Sequence, residues 1–268
     1  MKYLFVIILT FFCFGVYSQE RPQETERPSA WSDLGTSCKW LYQGSYKQFN
    51  KNNLYNLGVM VPTNWYWFGQ DDYVLNSVQG KTVSDTVQVI SDLAIFFATP
   101  VPTMTFYYIG RGNNDTKMMQ FAMETFAAMY LTYIESYLIS FIPVHERPDQ
   151  NNLSWAEELR GNSSFPSGHM ASYSVLFAKT LQFYGPYWSL IPLAGAVATG
   201  YERVVSEKHY ISDVFGGFFL SLLSSEGVRV AGQYKNNNPV FKFIFEHDPK
   251  LSFASNGKNF MYNLSWSF

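Results

Sequence analysis

Charge is scarce in this chain. Asp, Glu, Lys and Arg make up 15% of its 268 residues, against about a quarter in an ordinary soluble domain. The formal net charge is -2. No basic block and no Lys/Arg-rich helix occurs, which argues against nucleic acid as a partner. Cysteine is scarcer, with Cys13 and Cys38 alone. No repeat of 20–50 residues is visible, so solenoid and propeller architectures are set aside.

Apolar and aromatic residues are plentiful. Hydrophobic residues reach 47%, with 24 Phe, 19 Tyr and 7 Trp. That permits a sizeable core and suits a helical protein that touches membrane or lipid. The mean hydropathy of -0.10 is nevertheless low for a chain that crosses a bilayer many times. The length fits one large domain with additions at its ends.

The first residues read MKYLFVIILTFFCFGVYSQE. One Lys precedes an apolar run from Tyr3 to Val16, and small Ser18 precedes Gln19. This is the pattern of a secretory signal peptide cut after Ser18. With that cut Cys38 is the one cysteine retained, and one thiol forms neither an internal disulfide nor a multi-thiolate metal site. Export without disulfides fits a bacterial periplasm or a membrane-associated place in the envelope.

Residues 19–36 are polar, with two Arg-Pro pairs, and read as a leader. Residues 37–80 are mixed and aromatic, and VPTNWYWFGQDDY (Val61 to Tyr73) reads as loop or short elements. From Ser84 the pattern turns helical. A segment over 84–110 is interrupted by Pro100 and Pro102. The strongest helix spans 115–142, capped by Asp115 and ended by Pro143. Glu124 and Glu135 inside it are costly against lipid, so this helix is expected to pack within protein. A polar connection over 143–166 holds a short helical piece near SWAEELRGN. Helices follow over 168–184, 187–202 and 208–232. Thr180 to Tyr201 carries no charge and has the length of a membrane span, but Gly185-Pro186 predicts a helix–turn–helix. After a turn at Asn256-Gly257, Tyr262, Leu264, Trp266 and Phe268 alternate with polar residues, the pattern of a strand. An all-α fold is expected, with an irregular aromatic N-terminal region and a short C-terminal β-hairpin. The divisions are 1–18, 19–83, 84–235 and 236–268.

Three clusters of chemically able residues fall between helices. The first is Arg147-Pro148. The second is Pro166-Ser167-Gly168-His169, at a helix start, where free N–H groups and the helix dipole favour an anion. Gly168 lets an anion approach the main chain, Ser167 adds a donor, and His169 can give a proton to a leaving oxygen. The third holds Arg203, His209 and Asp213. A spacing of four places His209 and Asp213 on one helix face, and a carboxylate beside an imidazole fixes its tautomer. Arg147 and Arg203 offer planar forks for phosphate oxygens. Singly, each is more often structural than catalytic.

Together, Arg-Pro, Pro-Ser-Gly-His, and Arg followed by His six and Asp ten positions later resemble the type 2 phosphatidic acid phosphatase superfamily. That superfamily also holds bacterial class A acid phosphatases and vanadium haloperoxidases. The likeness covers about residues 115–225. It implies a helical bundle of that kind and a phosphatase that needs no metal and no cofactor. By resemblance His209 is the nucleophile that forms a phosphohistidine, and Asp213 orients it. His169 protonates the leaving alcohol and then activates water. Arg147, Arg203, Ser167 and the Gly168 N–H hold the phosphoryl oxygens. The expected substrate is a phosphorylated lipid or a small phosphate ester.

Two positions depart from the family. Its first motif has a Lys seven residues before the Arg of Arg-Pro, where this chain has Ser140. A lost oxyanion donor costs about 2–4 kcal/mol of transition-state stabilisation. The Ser that often precedes the third-motif Arg is here Glu202. His145, two before Arg147, is a candidate compensating donor that would favour acidic pH. The alternatives are a catalytically weak phosphate- or headgroup-binding protein and a vanadate-dependent haloperoxidase.

Overall fold

The computed structural model describes residues 28–149, 161–246, 248–255 and 260–267. The expected signal peptide over 1–18 and most of the piece near SWAEELRGN lie outside them, while residues 30–36 of the expected leader belong to a helix. Helix α1 (Ala30–Lys47) begins at Ser29, whose Oγ accepts from the Ser32 N–H at 3.1 Å. Helix α2 (Lys51–Phe68) begins at Asn50, whose Oδ1 accepts from the Asn53 N–H at 3.0 Å. Such caps stabilise by about 1 kcal/mol each. Helix α3 (Asp71–Val78) follows after a turn at Gly69 and Gln70.

The aromatic N-terminal region is therefore helical, not irregular. Pro62 and the aromatic cluster argued for loop, yet Pro62 lies inside α2 on its exposed side. A proline there cannot donate to the Gly58 carbonyl, and the Thr63 hydroxyl donates to the next one, Val59 O, at 2.7 Å. Asn50 and the apolar contacts of the helix outweigh the breaker.

The helices between Asp85 and Gly232 follow the sequence pattern closely. Helix α4 (Asp85–Ala98) is capped by Ser84. Helix α5 (Pro100–Gly112) starts with Pro100 at its first position, where the missing N–H is harmless. Helix α6 (Thr116–Ile139) is capped by Asp115, whose Oδ1 accepts from the Met118 N–H at 2.9 Å. Helices α7 (Met170–Tyr184) and α8 (Pro186–Val205) meet at Gly185, giving the expected helix–turn–helix. Helix α9 (Ile211–Gly232) is followed by the short α10 (Pro239–Phe245). Strands β1 (Asp248–Ser255) and β2 (Phe260–Ser267) form the expected antiparallel hairpin, with Asp248 opposite Ser267 and Ser255 opposite Phe260. The Asn256-Gly257 turn lies outside the described residues.

Helices α6, α7 and α9 pack against one another, α1 covers α6 and α9, and α8 lies against α7 and α4. One buried cluster joins Ala127, Ala128, Leu131, Val175 and Val228. Another joins Ala94, Met170, Tyr173, Ala196 and Val214. The acids of α6 face protein as expected. Fully buried Glu124 meets Lys179 Nζ at 2.9 Å and accepts from Gln182 and Gln120. Glu135 accepts from Ser224 Oγ at 2.7 Å and from Gln48. Pairing of this kind is what makes buried charge tolerable. Among the described residues one helix, α9, is long and apolar enough to cross a membrane, and more than half of it is buried in protein.

Candidate active site

The C-terminal ends of α6 and α8 and the N-terminal ends of α7 and α9 meet, and the three clusters lie at that meeting. Backbone hydrogen bonds tie them together. The Ser164 N–H donates to His145 O at 2.8 Å, joining the second cluster to the first. The Ser167 N–H donates to Asp213 O at 2.9 Å, joining the second to the third. The Asp149 N–H donates to Glu207 O at 3.1 Å, closing the ring.

Sterics in α9 allow this approach. A Cβ on Gly217 would stand 2.3 Å from Ser167 O, and one on Gly216 would stand 2.2 Å from the Phe165 ring. The paired glycines of FGGFF thus seat the Pro-Ser-Gly-His turn against the helix that carries Asp213. Sequence reasoning assigned them no role. A glycine pair inside a helical pattern was the available signal.

His209 lies two residues before α9, not on it. Its contact with Asp213 is made at the helix entrance, with Nδ1 3.5 Å from Asp213 Oδ2. Asp213 is the third residue of the helix, and the same Oδ2 accepts from the Tyr210 N–H at 2.9 Å. The carboxylate therefore caps the helix and orients the imidazole together. Both residues are buried. Burial alone pushes the Asp213 carboxyl up, but hydrogen bonds from His145, His209 and the Tyr210 N–H hold it well below the usual carboxylate range.

Helix α7 begins at Met170, with His169 as its cap residue and Ser167 and Gly168 in the turn before it. The Ser167 hydroxyl is buried and has no hydrogen-bond partner among the described residues. Arg203 sits in the last turn of α8, with Nη1 3.4 Å from His169 Nε2. The His169 and His209 rings are 6.4 Å apart, centroid to centroid. Arg147 is buried, and its Nη1 donates to Lys208 O at 3.4 Å. All seven residues singled out in the sequence are thus brought to one place.

Residues 121–236 match the family model of the PAP2 superfamily. This stretch resembles a PAP2 superfamily domain. It runs from α6 to just beyond α9 and contains all three clusters and the glycine pair. No curated protein and no solved structure matches the chain. The all-α architecture agrees with the resemblance seen in the sequence.

The two departures from the superfamily pattern acquire a structural reason. Ser140 is fully buried and caps the end of α6. Its Oγ donates to Tyr137 O at 2.7 Å and accepts from the Gly161 N–H at 3.0 Å, while its carbonyl accepts from the Ser163 N–H at 3.1 Å. It clips the returning chain to the helix. Glu202 is buried beside Arg203 and accepts from its Nε, from Ser91 Oγ at 2.9 Å and from Ser206 Oγ at 2.8 Å. Burial raises its carboxyl, yet these donors leave it below its ordinary value. Glu202 therefore holds the back of the Arg203 guanidinium.

His145 faces away from its expected role. Its ring stacks on Tyr210 with centroids 3.9 Å apart, Nδ1 lies 3.4 Å from Asp213 Oδ1, and Nε2 lies 4.0 Å from Asp71 Oδ2. It contacts carboxylates, not a phosphate cradle. Asp71, from α3, accepts from the Ser212 N–H at 3.0 Å and the Ser212 hydroxyl at 2.6 Å. Phe68 of α2 packs on both His145 and Phe165. These braces come from outside the matched stretch, and no motif marked them.

Proposed function

We propose that the PAP2-like domain hydrolyses phosphate monoesters, or lipid phosphates and diphosphates, through a phosphohistidine on His209. The observation that carries this reading is the pairing of His209 Nδ1 with Asp213, beside a His169 that Arg203 contacts. The Nε2 edge, turned away from Asp213, attacks phosphorus while the bond to the leaving oxygen breaks. His169 gives that oxygen its proton. In the second step His169 takes a proton from water, whose oxygen attacks phosphorus and breaks the P–N bond. Arg147, Arg203, Ser167 and the Gly168 N–H hold the three other oxygens. Phosphoryl transfer needs mainly positioning and charge stabilisation, which these groups supply without a metal or cofactor.

A phosphorylated lipid is the substrate class best supported. The outer face of α8 exposes Tyr187, Trp188, Leu190, Ile191, Val197 and Tyr201, and α5 exposes Val101, Met104, Tyr108 and Ile109. Exposed apolar patches of this extent mark interaction surfaces. Phe141, Ile142 and Val144, just ahead of His145, are exposed too, placing apolar side chains beside the site. We assign these faces to the lipid of a bacterial envelope, reached by export with cleavage after Ser18. A non-catalytic headgroup binder is the second reading, favoured by Ser140 in place of the lysine.

Phosphate release from phosphatidic acid, an isoprenoid diphosphate and p-nitrophenyl phosphate, with EDTA present, tests the proposal. Activity is expected to survive EDTA and to vanish in His209→Ala. Equal activity in that variant, or loss in EDTA, overturns the mechanism. Binding without turnover selects the second reading. Sedimentation with phospholipid vesicles tests the surface, and Ile191→Lys with Val197→Glu is expected to abolish it.

A further inference from the structure

We propose that His145 is a positioning residue whose imidazolium shares the Asp213 carboxylate with His209, and so keeps His209 in its neutral, attacking form under acidic conditions. The proposal rests on the phosphohistidine reading and adds to it a residue that touches no substrate. The geometry carries it. The two oxygens of Asp213 are divided between two imidazoles, Oδ1 lying 3.4 Å from His145 Nδ1 and Oδ2 lying 3.5 Å from His209 Nδ1. Tyr210 covers one face of the His145 ring at 3.9 Å, and Phe68 packs against it at 5.4 Å. Asp71 stands at its far nitrogen, 4.0 Å away.

The charged and titratable groups around His145 come from each neighbouring element. Helix α3 supplies Asp71 and Asp72. Helix α9 and its entrance supply Asp213, Tyr210 and, across the carboxylate, His209. Its own segment adds Glu146 and Arg147. Burial lowers the basicity of His145, but the hydrogen bond and charge of Asp213 and the charges of Asp71 and Asp72 outweigh it and raise the net value. His145 is thus cationic through the acidic range.

The consequence for His209 follows from charge balance. A carboxylate beside an imidazole favours its protonated form, and a protonated His209 cannot attack phosphorus. A second cation on the same carboxylate offsets that pull. The charge of His145 lets Asp213 orient His209 without making it too basic. When His145 loses its proton, or is replaced by a neutral residue, His209 holds its proton to higher pH.

The test uses the full mature chain. The titration of the His209 ring is followed by NMR of labelled histidine, assigned with His209→Ala, in wild type, His145→Gln and His145→Arg. The acid limb of kcat/KM against pH is measured in parallel. His145→Gln is expected to move the His209 titration and the acid limb upward together by about one pH unit, the scale of one nearby charge. His145→Arg, which keeps the cation, is expected to return both toward wild type. A folded His145→Gln whose His209 titrates as in wild type overturns the proposal. So does an Arg variant that behaves like Gln. Failure of the phosphatase reading is distinct, because it appears as a wild-type protein that releases no phosphate, whatever the titration shows.

Discussion

Glu202 and Arg203, neighbours in the last turn of α8, form a partly buried ion pair in which the carboxylate takes the guanidinium Nε and two serine hydroxyls lock the carboxylate. That leaves Nη1 on the side of His169. The departure from the family pattern at Glu202 is thus a splint for the Arg203 guanidinium.

Glu202→Gln should keep the fold and weaken the splint. The expected result is a fall in kcat/KM of about 10- to 100-fold, since a hydrogen bond to a charged group contributes about 1.5–3 kcal/mol. Glu202→Ala leaves Ser91 and Ser206 without their acceptor and should also lower Tm. Steady-state kinetics with p-nitrophenyl phosphate and a thermal melt check both. Unchanged kinetics in both variants would mean that Arg203 is held by something else.

Gly217→Ala tests the seating of the second cluster. The added methyl would stand 2.3 Å from Ser167 O, so the turn must move away from Asp213. Overpacking of this kind costs about 1–3 kcal/mol, and displacement at the site should lower kcat much more than its stability loss implies. Differential scanning fluorimetry and kcat separate the two effects. Gly58→Ala is a control, because a Cβ there meets nothing within 4 Å.

How much was legible in the sequence follows from what each feature needs. The motif residues could be read as one group because the family pattern restricts residue type and order, and the structure brings the three clusters together. Helices α4 to α9 could be read from caps and punctuation, with Ser84, Asp115 and Gly185 where the pattern placed them. Helix α2 could not, because Pro62 signals a break and only the capped, packed helix shows that it sits harmlessly at the surface. The four-residue spacing of His209 and Asp213 predicted the right contact for the wrong reason, since His209 precedes the helix. Asp71 and Gly217 were silent because their roles exist only across tertiary contacts. Ser140 and Glu202 looked like losses because a family pattern records which residue is absent, not what its replacement holds.

Ser140→Lys is therefore expected to lower activity and stability, although the family pattern alone suggests a gain. The serine is fully buried, and its hydroxyl accepts from the Gly161 N–H. A Cβ on Gly161 would lie 2.1 Å from Ser140 O, so the two segments touch at backbone distance. A lysine must leave that contact, removing the clip and orphaning a donor, at about 1–3 kcal/mol. A rise in kcat/KM with unchanged Tm would show that position 140 opens onto the site.

The pH dependence of stability should have two limbs. Asp213 has its folded value below its unfolded one of about 3.9. Its contribution is present above that unfolded value and is lost as pH falls through the folded one. Asp71 works in the opposite sense, because burial, outweighing Ser212 and His145, raises its carboxyl. His145 has its folded value above its unfolded one of about 6.5. Its contribution is complete below that pH and disappears as pH rises through the folded value. Urea denaturation from pH 3 to pH 9 should therefore show Asp213→Asn losing part of the acid slope. The gap between wild type and His145→Gln should be widest at acidic pH and close on the alkaline side. A gap that widens with rising pH would reverse the sign assigned to His145, and with it the claim that Asp213 and Asp71 hold it as a cation.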